Sequence, residues 1–348
     1  MRYDVSYGVP RLKAVRFERP GVLELVDLRV PEPGPAEVRL APLAVGICGT
    51  DAHILDGSFP ARSGVVLGHE ICGRIDALGK DVRDLAVGDL VTVEPHLYCG
   101  TCRYCRLGHE HLCPEKRAFG VHLDGGMAEQ LVIPARLAYR LPADLDPVIG
   151  CLTEPLACAI HALDRLEPRS GLPALVIGAG PAGLLLTALA HAAGLIVTVA
   201  EFDPERRAAA LAMGAVATID PALPDWRAAA LDNTGGAGFD FVIEAAGTTA
   251  GLETAVALSA RRARLLVYGV ARPGETAAIP PYDVYAKELT ILGTALNPFT
   301  HLRAVGLLSQ LPLHVIKPGV FPLAAYAEAF AAQHERRFMK VVIAPQPA

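Results

Sequence analysis

The chain has 348 residues, room for about two domains of ordinary size. Hydrophobic residues make up 52% of it and the mean hydropathy is +0.34, which provides for large buried cores and excludes a disordered chain. A net charge of −5, a pI near 6.1 and the lack of any Lys/Arg run exclude a nucleic-acid or anionic-membrane partner.

Residues 1–10 carry Arg2 and Asp4 and no apolar stretch, so no secretory leader is read there, and the first eleven residues look like an extension. From 12 to 93, short alternating runs at 13–17, 37–44 and 90–93 are separated by Pro and Gly, as in Pro31-Glu32-Pro33-Gly34-Pro35. This predicts a mostly-β segment, a small barrel or sandwich. Two motifs stand inside it, Gly46-Ile47-Cys48-Gly49-Thr50-Asp51-Ala52-His53 and Gly68-His69-Glu70. With Glu154-Pro155-Leu156 farther on, Cys48, His69 and one or both of Glu70 and Glu154 offer thiolate, imidazole and carboxylate to one zinc ion. Such a set leaves a coordination position for water or substrate, as a catalytic site requires. Taken singly, each residue has an ordinary explanation: a buried cysteine behaves as a small hydrophobe, and Glu70 could merely orient its neighbour.

Four of the eight cysteines crowd into C-x2-C-x2-C-x7-C, at Cys99, Cys102, Cys105 and Cys113. Without a secretory leader, this crowding points to metal rather than disulfides, and to a reducing cytoplasm. Four thiolates close a zinc tetrahedron and leave no place for substrate, so the lobe at 95–114 reads as a structural zinc site. An iron–sulfur cluster is the competing reading. Cys72, Cys151, Cys158, His109, His111 and His161 keep a structural reading.

The texture changes near 152. Apolar runs at 174–177, 196–200, 239–244, 264–270 and 289–292 alternate with helical stretches at 182–193, 204–213, 224–231 and 251–258, which predicts a doubly wound parallel sheet. Residues 170–200 contain no Asp, Glu, Lys or Arg, but their glycines divide them into strand, turn, helix and strand rather than a membrane span. Gly178-Ala179-Gly180-Pro181-Ala182-Gly183 fits G-x-G-x-x-G, whose glycines let the backbone and a helix N-terminus approach a pyrophosphate. Glu201 follows 18 residues after Gly183, close to the spacing for an acid that bonds the adenosine ribose. A carboxylate there repels a 2′-phosphate and favours NAD over NADP, while Arg206 and Arg207 could accept such a phosphate. Glu244-Ala245-Ala246-Gly247 and Tyr268-Gly269-Val270 end later strands, where they would flank the cofactor. After Pro298 come a helical segment, 301–310, and a strand, 338–343, expected to return to the first domain.

Together these motifs resemble the zinc-containing medium-chain dehydrogenase/reductase superfamily, the alcohol dehydrogenase group, from Leu12 to Ile343. The resemblance implies an α/β architecture. A GroES-like β-rich catalytic domain would cover 1–153 and 298–348, and a Rossmann NAD-binding domain 154–297. Within the superfamily the chain looks most like sorbitol and polyol dehydrogenases, with threonine dehydrogenases nearby. The resemblance implies one catalytic and one structural zinc and NAD as cofactor. The substrate would be a small-molecule alcohol (a polyol, sugar alcohol or cyclitol) oxidised to the ketone. It carries a proton relay over to Thr50 and His53, and leaves open whether Glu70 or Glu154 ligates the metal directly. It also implies a homodimer or homotetramer paired near 289–296, and pocket residues Phe59, Phe119, Asn297, Phe299 and Arg303. The competing readings are a threonine or amino-alcohol dehydrogenase and, from another class, a non-catalytic binding or structural relative.

Overall fold

The computed structural model describes residues 10–346, so most of the expected N-terminal extension lies outside the described residues. The chain divides into two compact units, one running up to Glu154 and resuming at Pro318, the other Pro155–Lys317.

In the first unit, Glu37–Gly46 is the strand around which the rest assembles. Its alternate residues Val38, Leu40 and Ala44 are buried, the pattern of a strand with one face on a core. It pairs antiparallel with Glu70–Leu78, Leu131–Pro134 and Lys340–Ala344. The sheet order is Ala138–Arg140, Leu90–Val93, Glu70–Leu78, Glu37–Gly46, Lys340–Ala344, Pro318–Pro322. Irregularities between Arg39 and Leu40 and between Pro42 and Ala44 accommodate a proline inside the strand. A second sheet of Val22–Arg29, Arg11–Arg19 and Val65–Val66 adds Val15, Phe17 and Val66 to a core that contains Leu40, Ile71, Met127, Ile133 and Ile343. Each such side chain, fully buried, contributes about 1.5–3 kcal/mol.

The sequence reading gives strands and no helix through residue 93, but Gly49–Asp56 is helical. It is too short to show a helical period. What starts it is a local hydrogen bond, Cys48 N–H to Asp51 Oδ2 at 2.8 Å, and Gly57, at φ +83°, ends it.

The second unit carries a six-stranded, all-parallel sheet. Its order is Ala217–Ile219, Ile196–Ala200, Pro173–Ile177, Phe239–Glu244, Ser259–Val267, Thr290–Gly293. The inner strands are near-continuous apolar runs because helices cover both faces. The strand expected at 264–270 begins earlier, at Ser259, directly after the helix Thr249–Leu258. No helix among the described residues is long and apolar enough to cross a membrane; the uncharged stretch from 170 is the strand–turn–helix of the sheet's first strand.

The return to the first unit was expected at 298 and comes at Pro318. The physical reason is side-chain anchoring. Thr300 Oγ1 donates to the Ala157 carbonyl at 2.7 Å, and Arg303 pairs with Asp164, so the helix His301–Leu307 stays with the second unit. That pairing also occupies Arg303, which the resemblance placed in a pocket.

Candidate functional site

The antiparallel register sets Gly46 opposite Glu70, and this brings two motifs together. Cys48 stands two residues beyond Gly46 at the helix start, and His69 precedes Glu70. One ligand atom from each of Cys48, His69 and Glu70 lies within 4.8 Å of the others. Gly46 is required sterically: a Cβ there would come 1.9 Å from Glu70 Oε2 and 2.8 Å from Lys340 Cε. Gly68, at φ +92°, makes the turn into His69 in a conformation that suits glycine.

The surroundings fit a cation. His69 Nδ1 and Asp51 Oδ1 are buried, face each other at 3.7 Å and have no hydrogen-bond partner among the described residues. Burial alone would lower the His69 pKa. Asp51, followed by Cys48 and Glu154, outweighs it and carries the pKa well above the ordinary imidazole value. With Asp51 on the Nδ1 side, Nε2 is left for a metal, the usual arrangement of a ligating histidine held by a carboxylate. A soft thiolate, an imidazole and a hard carboxylate together suit zinc, itself a borderline ion, and three protein ligands leave one position open. Lys340 Nζ contacts the Glu70 carboxylate and donates to the Ile47 carbonyl at 3.1 Å. Burial lowers its pKa, but Glu70 and Cys48 overcome this and raise it, so the ammonium stays charged.

Sequence reasoning missed Asp51 and Lys340. Asp51 sits three residues after Cys48, a capping spacing that was there to be read; nothing in the sequence near Lys340 marks it. Glu154, buried in the first turn of Thr153–Leu166, lies outside the three-residue ligand group and acts on His69 by charge. Cys48 Sγ donates to Thr50 Oγ1 at 3.8 Å. His53 Nδ1 lies 3.1 Å from Ser58 Oγ. Phe119 is buried in the core.

The second cluster is the lobe. Sγ separations are 3.5 Å for Cys102–Cys105, 3.6 Å for Cys113–Cys99 and 3.9 Å for Cys99–Cys105. Zinc–sulfur bonds of about 2.3 Å in a tetrahedron give edges of about 3.8 Å, so the four thiols fit a single ion. An iron–sulfur cluster spreads its thiolates over several irons and needs wider spacing. Backbone N–H groups of Thr101 and Cys102 pull the Cys99 thiol down to about 6. Burial and the neighbouring Cys102 push Cys105 up to about 12. Four thiolates this close would repel one another, and a cation among them would offset that repulsion.

In the second unit the strand Pro173–Ile177 runs into Gly178, at φ +96°, and the helix Pro181–Ala192 follows with Gly180 as its N-cap. A Cβ on Gly183 would strike the Gly178 carbonyl at 2.0 Å, so close strand–helix packing requires glycine there. Pro181 at the first helical position and Ala182 leave the turn's N–H groups unhindered. Glu201 Oε2 accepts the Ala179 N–H at 2.7 Å, which places the carboxylate at the lip of the turn. Arg207 donates to the Glu201 and Phe202 carbonyls and pairs with Asp220, so it is committed to the fold. The Arg206 side chain has no such ion pair among the described residues. Val270 is 71% exposed and borders Gly247.

Residues 34–143 match the alcohol dehydrogenase GroES-like domain and residues 181–308 the zinc-binding dehydrogenase domain. The chain is 37% identical over 289 residues to the L-threonine 3-dehydrogenase of Pyrococcus horikoshii, covering 81% of this chain and 82% of that one. The chain belongs to the zinc-binding medium-chain dehydrogenases of the alcohol dehydrogenase superfamily. As a member, it is an NAD(P)-dependent oxidoreductase with a zinc-binding site. Its GroES-like unit holds the Cys48 group and the cysteine lobe, and its Rossmann unit holds the glycine turn. A zinc-binding dehydrogenase of Sinorhizobium meliloti bound to NADP shares the fold with a TM-score of 0.92 at 35% identity, covering 97% of this chain and all of that one. A short chain alcohol dehydrogenase of Escherichia coli complexed with NADH gives 0.89 at 28%, with the same coverage.

Proposed function

We propose that this medium-chain dehydrogenase oxidises the secondary hydroxyl of an amino alcohol of the L-threonine type to a ketone, with NAD as acceptor. The observation that carries the reading is the convergence of Cys48, His69 and Glu70 ligand atoms within 4.8 Å. Similarity to threonine 3-dehydrogenases over four-fifths of the chain supports an amino alcohol over the polyol expected from sequence. Those three residues would hold a catalytic zinc, with Glu154 beside them as a nearby charge, and Cys99, Cys102, Cys105 and Cys113 a structural one. Gly178, Gly180, Pro181, Ala182 and Gly183 would seat the pyrophosphate, and Glu201 the adenosine ribose. Val270 would border the nicotinamide half, and Arg206 is the group free to meet a phosphate.

When bound, zinc supplies a positive charge that makes a neighbouring hydroxyl more acidic, and NAD accepts the hydride. The chain's own residues set the rest. Asp51 holds the imidazole of His69. Lys340 sets a positive charge against the buried Glu70 carboxylate. Thr50 Oγ1 would accept the proton of the substrate hydroxyl as it hands its own on toward His53. His53 lies one helical turn along, and with Nδ1 turned to Ser58 its Nε2 is the atom that passes the proton outward.

The Thr290–Gly293 strand ends the parallel sheet with an edge unpaired among the described residues, and Ile291 in it and Tyr282 and Tyr285 in the preceding helix are exposed. Such an edge supports a homodimer or homotetramer paired there. Eight free cysteines suit a reducing cytoplasm.

The test is turnover on L-threonine, other amino alcohols, sorbitol, xylitol and galactitol, each with NAD and NADP, beside a zinc assay. L-Threonine with NAD should lead the panel. A polyol in the lead replaces the amino-alcohol reading, and no turnover with any alcohol sinks the oxidoreductase reading.

A further inference from the structure

We propose that Glu244 is a positioning residue for the dinucleotide, clamping the 245–248 loop into the shape that the cofactor pocket needs. The proposal rests on the reading that the Gly178–Gly183 turn binds NAD(P).

Glu244 ends the Phe239–Glu244 strand, paired with Ile177 of the strand that leads into the glycine turn. The sheet's order reverses between these two strands, the position where ligands of such sheets bind. The Glu244 side chain turns back on its own loop. Oε1 accepts the N–H of Ala246 at 3.0 Å and of Gly247 at 2.9 Å, with Thr248 N at 3.5 Å. Successive N–H groups converging on one point form an anion-binding nest, and here the chain's own carboxylate fills it. The main-chain carbonyl of Glu244 accepts from Tyr268 N–H at 3.0 Å and Gly269 N–H at 2.8 Å. One residue therefore ties down the loops after two neighbouring strands.

Three glycines make space for the clamp. A Cβ on Gly178 would lie 3.2 Å from Ala246 N, so the loop packs directly against the glycine turn. A Cβ on Gly269 would meet Gly247 N at 2.1 Å and Glu244 Oε2 at 2.8 Å. A Cβ on Gly251 would meet Glu244 Oε1 at 2.6 Å. The carboxylate is 1% exposed, and no cationic side chain among the described residues pairs with it. Burial pushes its pKa up, and the backbone N–H groups offset this only in part. A buried carboxylate with no counter-ion is a costly way to close a loop. Its place beside the turn accounts for it: the loop must hold its shape before the cofactor arrives.

The experiment measures NADH and NADPH binding to the zinc-loaded enzyme by fluorescence, together with KM for NAD, kcat and circular dichroism. Glu244→Ala leaves the loop N–H groups without their acceptor and should weaken NADH binding about tenfold. KM for NAD should rise in step while kcat at saturating substrates stays within about twofold, which separates positioning from chemistry. Glu244→Gln keeps one oxygen to accept those N–H groups and should recover most of the affinity. Gly251→Ala improves a helical position but displaces the carboxylate, so it too should weaken NADH binding about tenfold. It decides the matter where Glu244→Ala does not fold. In wild-type enzyme without cofactor, the amides of Ala246 and Gly247 should be protected from hydrogen exchange. Folded Glu244→Ala or Gly251→Ala binding NADH as tightly as wild type, or coil-like exchange at those amides, overturns the proposal. Wild type binding neither NADH nor NADPH overturns the functional reading itself.

Discussion

The ammonium of Lys340, in the last strand of the chain, lies against the carboxylate of Glu70 in the interior of the GroES-like unit. The two side chains are 4% and 2% exposed. The pair has a consequence for stability that depends on metal. Lys340→Met leaves Glu70 buried without its cation and should cost about 3 kcal/mol in the chelator-treated protein. Zinc supplies a replacement charge, so the loss should be smaller in the loaded protein. Urea unfolding of both forms checks this, and equal losses would count against Glu70 as a ligand.

Asp51→Asn keeps the shape of the helix start but weakens the carboxylate that faces His69. Affinity for the catalytic zinc should fall about 10- to 100-fold while the lobe's ion is untouched. Competition with a chromogenic chelator reads it out, and unchanged affinity would make Asp51 a helix cap and nothing more.

Cys48→Ser should reduce bound zinc from two ions per chain to one, matching the two ligand groups. Cys105→Ser should instead lower the thermal midpoint and leave the catalytic ion in place. A count still at two in Cys48→Ser puts the catalytic ion elsewhere.

Thr50→Val should retain both ions and lose about 100-fold or more in kcat, the worth of a positioned proton acceptor. Near-normal turnover removes Thr50 from the chemistry.

Glu201→Gln keeps an acceptor for Ala179 N–H but removes the charge. The ratio of kcat/KM for NAD over NADP should shrink about tenfold. An unchanged ratio would mean that other groups set the preference.

The glycine turn was legible because its chemistry is local. Strand, turn and helix follow within a few residues, and backbone conformation enforces the glycines at 178 and 183. The four-cysteine lobe was legible for the same reason, since Cys99 to Cys113 is one short loop. The helix Gly49–Asp56 was not, because a single side-chain cap rather than a periodic face starts it. The return point near 318 was not, because Thr300 and Arg303 are held by residues more than a hundred positions away.

Residue order alone thus determined the fold class, a β-rich unit followed by a parallel sheet, and named the candidate ligands, for these depend on spacing, propensity and hydrophobic period, all of which act over short stretches. Which ligands meet was decided by the pairing of Glu37–Gly46 with Glu70–Leu78 and Lys340–Ala344. That register places Gly46 across from Glu70 and delivers Lys340 to it, and brings Glu70 into the ligand group while Glu154 stays outside. Strand register is fixed by burying distant side chains in a common core, so no stretch of the chain carries it by itself.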